Sequence, residues 1–357
     1  PRLYPETPQA EEALLRKGLT QTLYGFYAPA IKTLESFMER YPQNVYVRRN
    51  VIQENIDENL KGLIDSYFRQ DDTLALVGAY SDYKAKYLFN FRFDTTLFQT
   101  AVAHRKLGFH DEALDILRFL ETRSAGTIGE LVQLEKAQTL LEKADLTEAR
   151  NTTARFLQKY PESPYDAEAR QLLAKIYRKQ KSYPMALLVF AQTLQKYDQN
   201  KKPLLAEIVP ELYFDLGELH EEIGNFVEAG EAYQQAVSSY NHPVDHSDTP
   251  EYIIKSHFLA ADMHNKAQNE EAALKSYQRA ILLYEDSKKG EIIERVFWAR
   301  YQIGTIYAHH GDNQQALTIF KELMDNKEGK GQLWKKLAAE NYRSISRKLS
   351  YDDYLKN

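Results

Sequence analysis

Histidine and carboxylate side chains are the groups in this chain that could bind a metal or transfer a proton. One stretch concentrates them, with His242, Asp245, His246 and Asp248 within seven residues. Their spacing reproduces no strong metal-ligand motif, and the neighbouring Pro243 favours an exposed turn. We therefore predict surface roles for these side chains and no metal site.

A second pair of histidines, His257 and His264, lies seven residues apart and hence on one face of a predicted helix. This spacing also matches no strong metal motif, and we predict packing roles for both. Paired carboxylates such as Glu221-Glu222 and Asp71-Asp72 fall on predicted helix surfaces or turns, where solvent explains them. The sequence contains no glycine-rich phosphate loop, nucleophile elbow or zincin motif. We predict that the chain is not an enzyme and needs no cofactor.

Composition narrows the possible partners. The chain has 46 basic and 51 acidic residues and a formal net charge of -5, which argues against nucleic acid as a partner. It contains no cysteine, so disulfides, thiolate metal sites and cysteine nucleophiles are excluded. No run of 18 apolar residues is present, and we predict no membrane span in this chain.

One spacing recurs along the whole chain. A small residue is followed by alanine twelve residues later, by an aromatic or apolar residue at sixteen, and by another apolar residue at nineteen, as in Gly217, Ala229, Tyr233 and Ala236. This spacing predicts two helices that pack closely where both side chains are small. The small residue and the alanine of the seven copies are Gly18 and Ala30, Ala101 and Ala113, Ala137 and Ala149, Ala174 and Ala186, Gly217 and Ala229, Ala261 and Ala273, and Gly304 and Ala316.

The turns between the predicted helices carry glycine, at Gly108, Gly224 and Gly311, which predicts left-handed helix ends. The interval from Gly18 to Ala101 is about twice the others. It predicts a degenerate helix pair within residues 45–93, with helices over roughly 47–70 and 73–87. Leu63 and Ala75 take the repeat positions of that pair, and the bulk of Leu63 is expected to splay it. The aromatic stretch Tyr80–Phe93 is predicted to cover the pair.

Four regions follow from these intervals. Residues 1–10 are predicted to be an extended segment, and residues 11–165 to form the N-terminal repeat units. After Ala174 the interval lengthens, so residues 166–330 are predicted to form units with longer helices and loops. Residues 331–357 are predicted to be a capping helix and tail, with Trp334 covering the last pair.

The recurring spacing and the tight turns resemble the tetratricopeptide repeat. The resemblance implies an all-α fold: a right-handed α-solenoid of about eight helical hairpins plus a C-terminal capping helix. Two boundaries, at Phe37 to Tyr41-Pro42 and at Phe156 to Tyr160-Pro161, resemble repeats of bacterial cell-envelope proteins of the Tol–Pal coordinator and outer-membrane assembly lipoprotein type. They imply a location in the periplasm or facing the cell envelope, with the cytoplasm as the alternative.

In proteins of this family the first helices of the pairs line a concave groove that binds a peptide or helix. Outward positions of those helices form our candidate groove, in which basic residues precede acidic and aromatic ones. These positions are Lys175, Arg178, Phe214, Glu218, Glu221, Phe258, Asp262, Trp298 and Tyr301. The alternative for each aromatic residue is packing against a neighbouring helix.

The predicted function is therefore that of a non-enzymatic scaffold that binds a protein or peptide partner in a bacterial envelope assembly. An alternative is the sensory or regulatory region of a larger membrane-anchored enzyme or secretion component. Self-association through Tyr80–Phe93 or through the end helix Gln332–Leu349 is a third possibility.

Overall fold

The computed structural model describes residues 7–86, 93–198, 208–240, 242, 249–326 and 329–356. All regular secondary structure within these residues is helical, as the sequence predicts. The chain divides into two compact units, one ending at Ile176 and the other starting at Tyr177. The boundary predicted between residues 165 and 166 falls before this division.

Helices follow one another with short connections in both units. The first unit contains α1 (Pro8–Leu23), α2 (Tyr27–Arg40), α3 (Val45–Arg48), α4 (Val51–Arg69), α5 (Thr73–Lys86), α6 (Asp94–Lys106), α7 (His110–Glu121), α8 (Gly126–Glu142), α9 (Leu146–Lys159) and most of α10 (Asp166–Lys179). The second contains α11 (Tyr183–Asp198), α12 (Val209–Glu222), α13 (Phe226–Ser239), α14 (Glu251–Lys266), α15 (Glu270–Tyr284), α16 (Gly290–His309), α17 (Asn313–Asp325) and α18 (Gln332–Lys356).

Apart from the one-turn helix α3, these helices alternate as the first and second members of eight pairs, and α18 comes last. This arrangement is the all-α solenoid of helical hairpins that the sequence predicts. The small residue and the alanine of all seven copies are buried. These positions therefore face the packed interior rather than solvent.

The residue sixteen positions after each glycine copy lies directly against that glycine. A Cβ atom built on Gly217 would lie 2.7 Å from the ring of Tyr233, and one on Gly304 would lie 2.6 Å from the ring of Phe320. A Cβ on Gly18 would lie 2.7 Å from the Leu34 side chain. The first helix of such a pair therefore has no room for a side chain at this position.

A residue with left-handed backbone conformation ends the first helix of every pair. Gly108, Gly224 and Gly311 have φ values of 82°, 81° and 80°, which confirms the predicted turns. Asp312 then accepts a hydrogen bond from the backbone N–H of Gln315 at 3.2 Å, whereas the side chain of Asn225 at the equivalent position makes no such bond. The turns of the remaining pairs use Gly25 and the non-glycine residues Asp71, Ala144, Lys181 and Gln268.

The degenerate pair is present as α4 and α5, but the predicted repeat positions within it are wrong by one residue. Ile64 and Leu76 are fully buried, whereas Leu63 and Ala75 are half-buried. The small residue is Gly62, where a Cβ atom would lie 2.6 Å from the ring of Tyr27 in α2. A ring from the preceding pair thus fills the space next to this glycine.

The aromatic stretch after α5 is described only in part, since residues 87–92 lie outside the described residues. Tyr80 is buried and meets His104 edge to face, with 6.1 Å between ring centroids. Burial raises the pKa of the Tyr80 hydroxyl to about 12. This tyrosine packs into the core, as expected for a residue that covers the pair.

The prediction for the N-terminal segment needs correction, because α1 begins at Pro8 and residues 8–10 are therefore not extended. Helix lengths in the two units overlap: α12 and α13 have 14 residues each, as α9 and α10 do, whereas α16 has 20. In α18, which caps the last pair, the ring centroid of Trp334 lies 5.7 Å from that of Tyr301.

The glycine contact predicts that Gly304→Ala destabilises the protein. The added methyl group must displace the Phe320 ring, and the cost outweighs the better helix propensity of alanine, for a net loss of about 1–2 kcal/mol in urea unfolding. Gly78→Ala in α5 is the matched control, because a Cβ there would meet nothing within 4 Å. It should stabilise the protein by up to about 1 kcal/mol, and equal effects of the two substitutions would contradict the contact.

The left-handed turns predict the opposite effect for Ala144→Gly. Ala144 is exposed and has φ 66°, a conformation that is costly for alanine and free for glycine. The substitution should raise the free energy of unfolding by about 1 kcal/mol. Gly108→Ala, at the equivalent turn of the preceding pair, should lower the free energy of unfolding by a similar amount. Thermal unfolding of both variants tests whether one is stabilised and the other destabilised.

Candidate functional site

In the first unit, the helices α6, α8 and α10 line a pocket of about 220 Å³. Each of them is the first helix of its pair, so the pocket lies on the face where the sequence predicts partner binding. Its apolar lining is formed by Phe98, Leu131, Leu134 and Leu172. Its polar lining is formed by Glu135, Gln138, Glu168, Gln171 and Lys175.

A partly buried set of ion pairs lies at one wall of this pocket. The Arg105 guanidinium donates hydrogen bonds to Glu135 at 2.5 Å and to Glu142 at 2.7 Å. Burial raises the pKa of Glu135, and the charge of Arg105 opposes this only in part. Burial alone would lower the pKa of Arg105, but its two carboxylate partners outweigh burial and raise it. The side chains of Arg105, Glu135 and Glu142 therefore hold one another in place at this wall of the pocket.

Among the nine predicted groove residues, Lys175 is the one that lines this pocket. The prediction missed Phe98, because the second repeat copy was not included in the candidate groove. It also missed Leu131 and Glu168, which lie one turn before Leu134 and Gln171 of this pocket and hence on the same faces of α8 and α10.

In the second unit, the predicted basic and acidic groove residues are partners of one another. Arg178 donates to Glu218 at 2.8 Å and to Glu222 at 2.6 Å. Burial would lower the pKa of Arg178, but the bonds and charges of the two glutamates raise it. The same contact with Arg178 lowers the pKa of Glu222, whose carboxylate also accepts from the Tyr183 hydroxyl at 3.1 Å.

A second set of ion pairs involves the next helix, α14. Lys266 bridges Glu221 and Asp262, with nitrogen to oxygen distances of 3.0 Å to each. Its ammonium group also lies 5.6 Å from the centre of the Phe226 ring. Burial opposes a charged lysine here, yet the two carboxylates raise the pKa of Lys266. The charges on this surface of the second unit are therefore largely compensated within the protein.

The aromatic candidates of the second unit pack against other rings. Phe258 is fully buried and lies 5.7 Å from Tyr284, so its prediction as an exposed groove residue is wrong. Phe214 is half-buried between two tyrosines, with centroids 5.7 Å from Tyr233 and 5.8 Å from Tyr252.

The other two aromatic candidates are also half-buried. Trp298 meets Tyr277 edge to face at 5.5 Å. Tyr301 lies 5.8 Å from Phe320, and its hydroxyl accepts a hydrogen bond from the Asn341 amide at 2.9 Å. Each of these rings is held by neighbouring helices, which is the packing alternative that the sequence left open.

The two helical histidines are both buried in α14. His257 is 7% exposed and lies 5.5 Å from the Tyr284 ring, and burial lowers its pKa to about 4. His264 is 2.6 Å from the Gln234 amide nitrogen, and burial lowers its pKa as well.

Of the cluster His242, Asp245, His246 and Asp248, only His242 lies within the described residues, and it is exposed. The described part of the chain contains no group of three or more side chains placed to hold a metal ion.

Three segments of the chain match models of the tetratricopeptide repeat, at residues 134–201, 210–242 and 298–326. Tetratricopeptide repeats are thus recognised in both units, and arrays of such repeats generally serve as non-enzymatic scaffolds for protein interaction. Among curated proteins, none matches the chain in sequence. In the described residues, no helix is both long enough and apolar enough to cross a bilayer.

Two solved structures are similar to this chain in fold. The C-terminal part of a tetratricopeptide repeat-containing protein from Cytophaga hutchinsonii has 12% identity and a TM-score of 0.54, over 76% of this chain and 97% of that one. The apo form of RapI has 13% identity and a TM-score of 0.53, over 96% of this chain and 98% of that one. At these identities the likeness shows the fold alone.

The buried His257 predicts a loss of stability as the pH falls. The unfolded chain takes up a proton near pH 6.5, whereas the folded protein does so near pH 4, since Tyr284 packs on the ring and Arg279 adds a repelling charge. Stability is therefore complete above pH 6.5 and falls towards pH 4, by about 2 kcal/mol between pH 7 and 5.

The His257→Phe variant isolates this contribution from those of the other histidines. Because phenylalanine takes up no proton, the variant should lack this part of the pH dependence. Chemical denaturation of both proteins at pH 7 and pH 5 gives the difference. A difference between wild type and variant that does not change with pH would contradict the assignment.

Proposed function

We propose that this protein is a non-enzymatic scaffold that binds a peptide or helix of another protein on the first-helix face of its first unit, within a bacterial envelope assembly. The pocket between α6, α8 and α10 carries this proposal. Repeat arrays present such faces as extended binding surfaces. Here the face offers an apolar depression with charged groups beside it.

The size of the pocket favours one side chain of a protein partner. Its volume of about 220 Å³ is below the ~300–1,000 Å³ typical of small-molecule sites. Phe98 and Leu134 give an apolar contact for such a side chain. Binding energy at protein interfaces is concentrated in such central pockets.

Charge pairing makes the corresponding surface of the second unit a poorer site. A partner that engaged Arg178 or Lys266 would have to separate existing ion pairs before it gained new ones. Removing one member of a partly buried pair also leaves its partner uncompensated. These costs make that surface a poorer site than an apolar contact such as the one that Phe98, Leu134 and Leu172 offer in the first unit.

The envelope location rests on the resemblance of two repeat boundaries, each a Phe-x-x-x-Tyr-Pro motif, to those of envelope proteins. The rings of both motifs pack alike, with Phe37 and Tyr41 5.3 Å apart at 51° and Phe156 and Tyr160 5.3 Å apart at 53°.

Site-specific photo-crosslinking in cells of the source organism tests this function. A photoreactive residue in place of Gln138, on the pocket, should capture a defined protein, whereas one in place of the exposed Asp115 on α7 should not. An envelope protein as the captured partner supports the proposed location. Equal capture at both positions would contradict a partner site on this face.

Affinity for the captured partner then tests the pocket itself. Phe98→Ala with Leu134→Ala should weaken binding at least about tenfold, because two apolar contacts are lost. Phe119→Ala is the matched control, since Phe119 is an exposed aromatic residue of the second helix α7. Unchanged affinity of a double variant with native helicity would refute the pocket as the binding site.

A further inference from the structure

A second pocket lies in the second unit, between α13 and α15 and over α14, with a volume of about 400 Å³. The buried residues Ser256, His257 and Ala260 of α14 line it, together with polar and basic side chains of the two flanking helices. None of the predicted groove residues takes part. The pocket is also separate in the chain from the binding site proposed for the first unit.

His257, which lines this pocket, carries a hydrogen-bonding atom without a partner. The residue is only 7% exposed, and its Nε2 atom has no hydrogen-bond partner among the described residues. Leaving a buried polar atom unpaired costs about 1–3 kcal/mol, and buried polar groups rarely remain so. With a pKa of about 4 the ring is neutral at pH 7, so it can donate through one nitrogen.

Two cations stand beside this histidine. Lys275 and Arg279 are one turn apart on α15, both are exposed and both line the pocket. Within the described residues neither forms an ion pair, and Ser276, which lies between them in sequence, lines the same pocket.

A neighbouring groove of similar size differs in that its basic residue is paired with a carboxylate. It lies between α15 and α17 and measures about 420 Å³. Its arginine, Arg300, pairs with Glu285 at 3.1 Å. The charges of that groove are thus compensated within the protein, unlike those of Lys275 and Arg279.

We propose that the pocket over α14 binds a phosphate monoester, with Lys275 and Arg279 as the charged contacts and Ser276 and the Nε2 atom of His257 as neutral ones. Two cations match the charge of about -2 that a phosphate monoester carries at neutral pH. A carboxylate would leave one cation uncompensated. The arginine fork also suits phosphate oxygens, which it binds in pairs. The remaining volume accommodates the group that carries the phosphate.

Calorimetric titration of the full chain with phenyl phosphate tests this site. Saturable binding with one site per chain is expected, and benzoate, which has the same ring but one charge, should bind at least about tenfold more weakly. Lys275→Gln with Arg279→Gln should weaken phenyl phosphate binding at least about tenfold. Lys321→Gln with Lys336→Gln removes the same charge from exposed positions outside the pocket and should leave binding within about twofold.

The His257→Phe variant provides a separate check, since loss of Nε2 should weaken binding several-fold in a protein whose cations are intact. Inorganic phosphate and a phosphoserine peptide identify the source of the phosphate. Tighter binding of the peptide than of phenyl phosphate assigns the site to a phosphorylated protein, and the reverse order assigns it to a small molecule. No saturable binding of any phosphate probe, equal binding of benzoate, or equal loss in both double variants would overturn the proposal.

Discussion

The close approach of a small residue in one helix to a bulky residue sixteen positions later is the contact on which this structure depends. Gly217 meets Tyr233, Gly304 meets Phe320, and Gly18 meets Leu34, with no room for a Cβ atom at any of these glycines. A helix with a side chain at that position would be pushed away from its partner. Because each pair buries only part of its apolar surface, displacement of one helix would also disturb its contacts with the next pair.

Much of the fold could be predicted because this contact leaves a mark in the sequence. The small residue, the alanine and the larger residue that follows keep a fixed spacing, and glycine marks turns such as those at Gly108 and Gly224. The same left-handed conformation at Ala144 and Gln268 leaves no such mark, because those residue types occur in many settings. The repeat position within α4 was missed, since the glycine of this helix, Gly62, packs against Tyr27 of the preceding pair rather than against its own partner helix.

The candidate surfaces were harder to predict because contacts distant in sequence decide them. Phe258 and Phe214 hold equivalent repeat positions, yet Phe258 is fully buried, with the Tyr284 ring packed against it. The sequence shows Arg178 and Glu218 as separate basic and acidic positions, whereas the fold joins them at 2.8 Å. Helical periodicity finds the face of a helix, but what covers that face depends on the neighbouring helices.

A double-mutant cycle between Gly304 and Phe320 tests the central contact most directly. Gly304→Ala, Phe320→Leu and the double variant would be compared in free energy of unfolding. The shorter leucine should leave space for the new methyl group, so the double variant should be more stable than the sum of the two single effects by at least about 1 kcal/mol. Additive effects within about 0.5 kcal/mol would show that the two residues do not constrain each other, and would contradict this account of how the helix pairs pack.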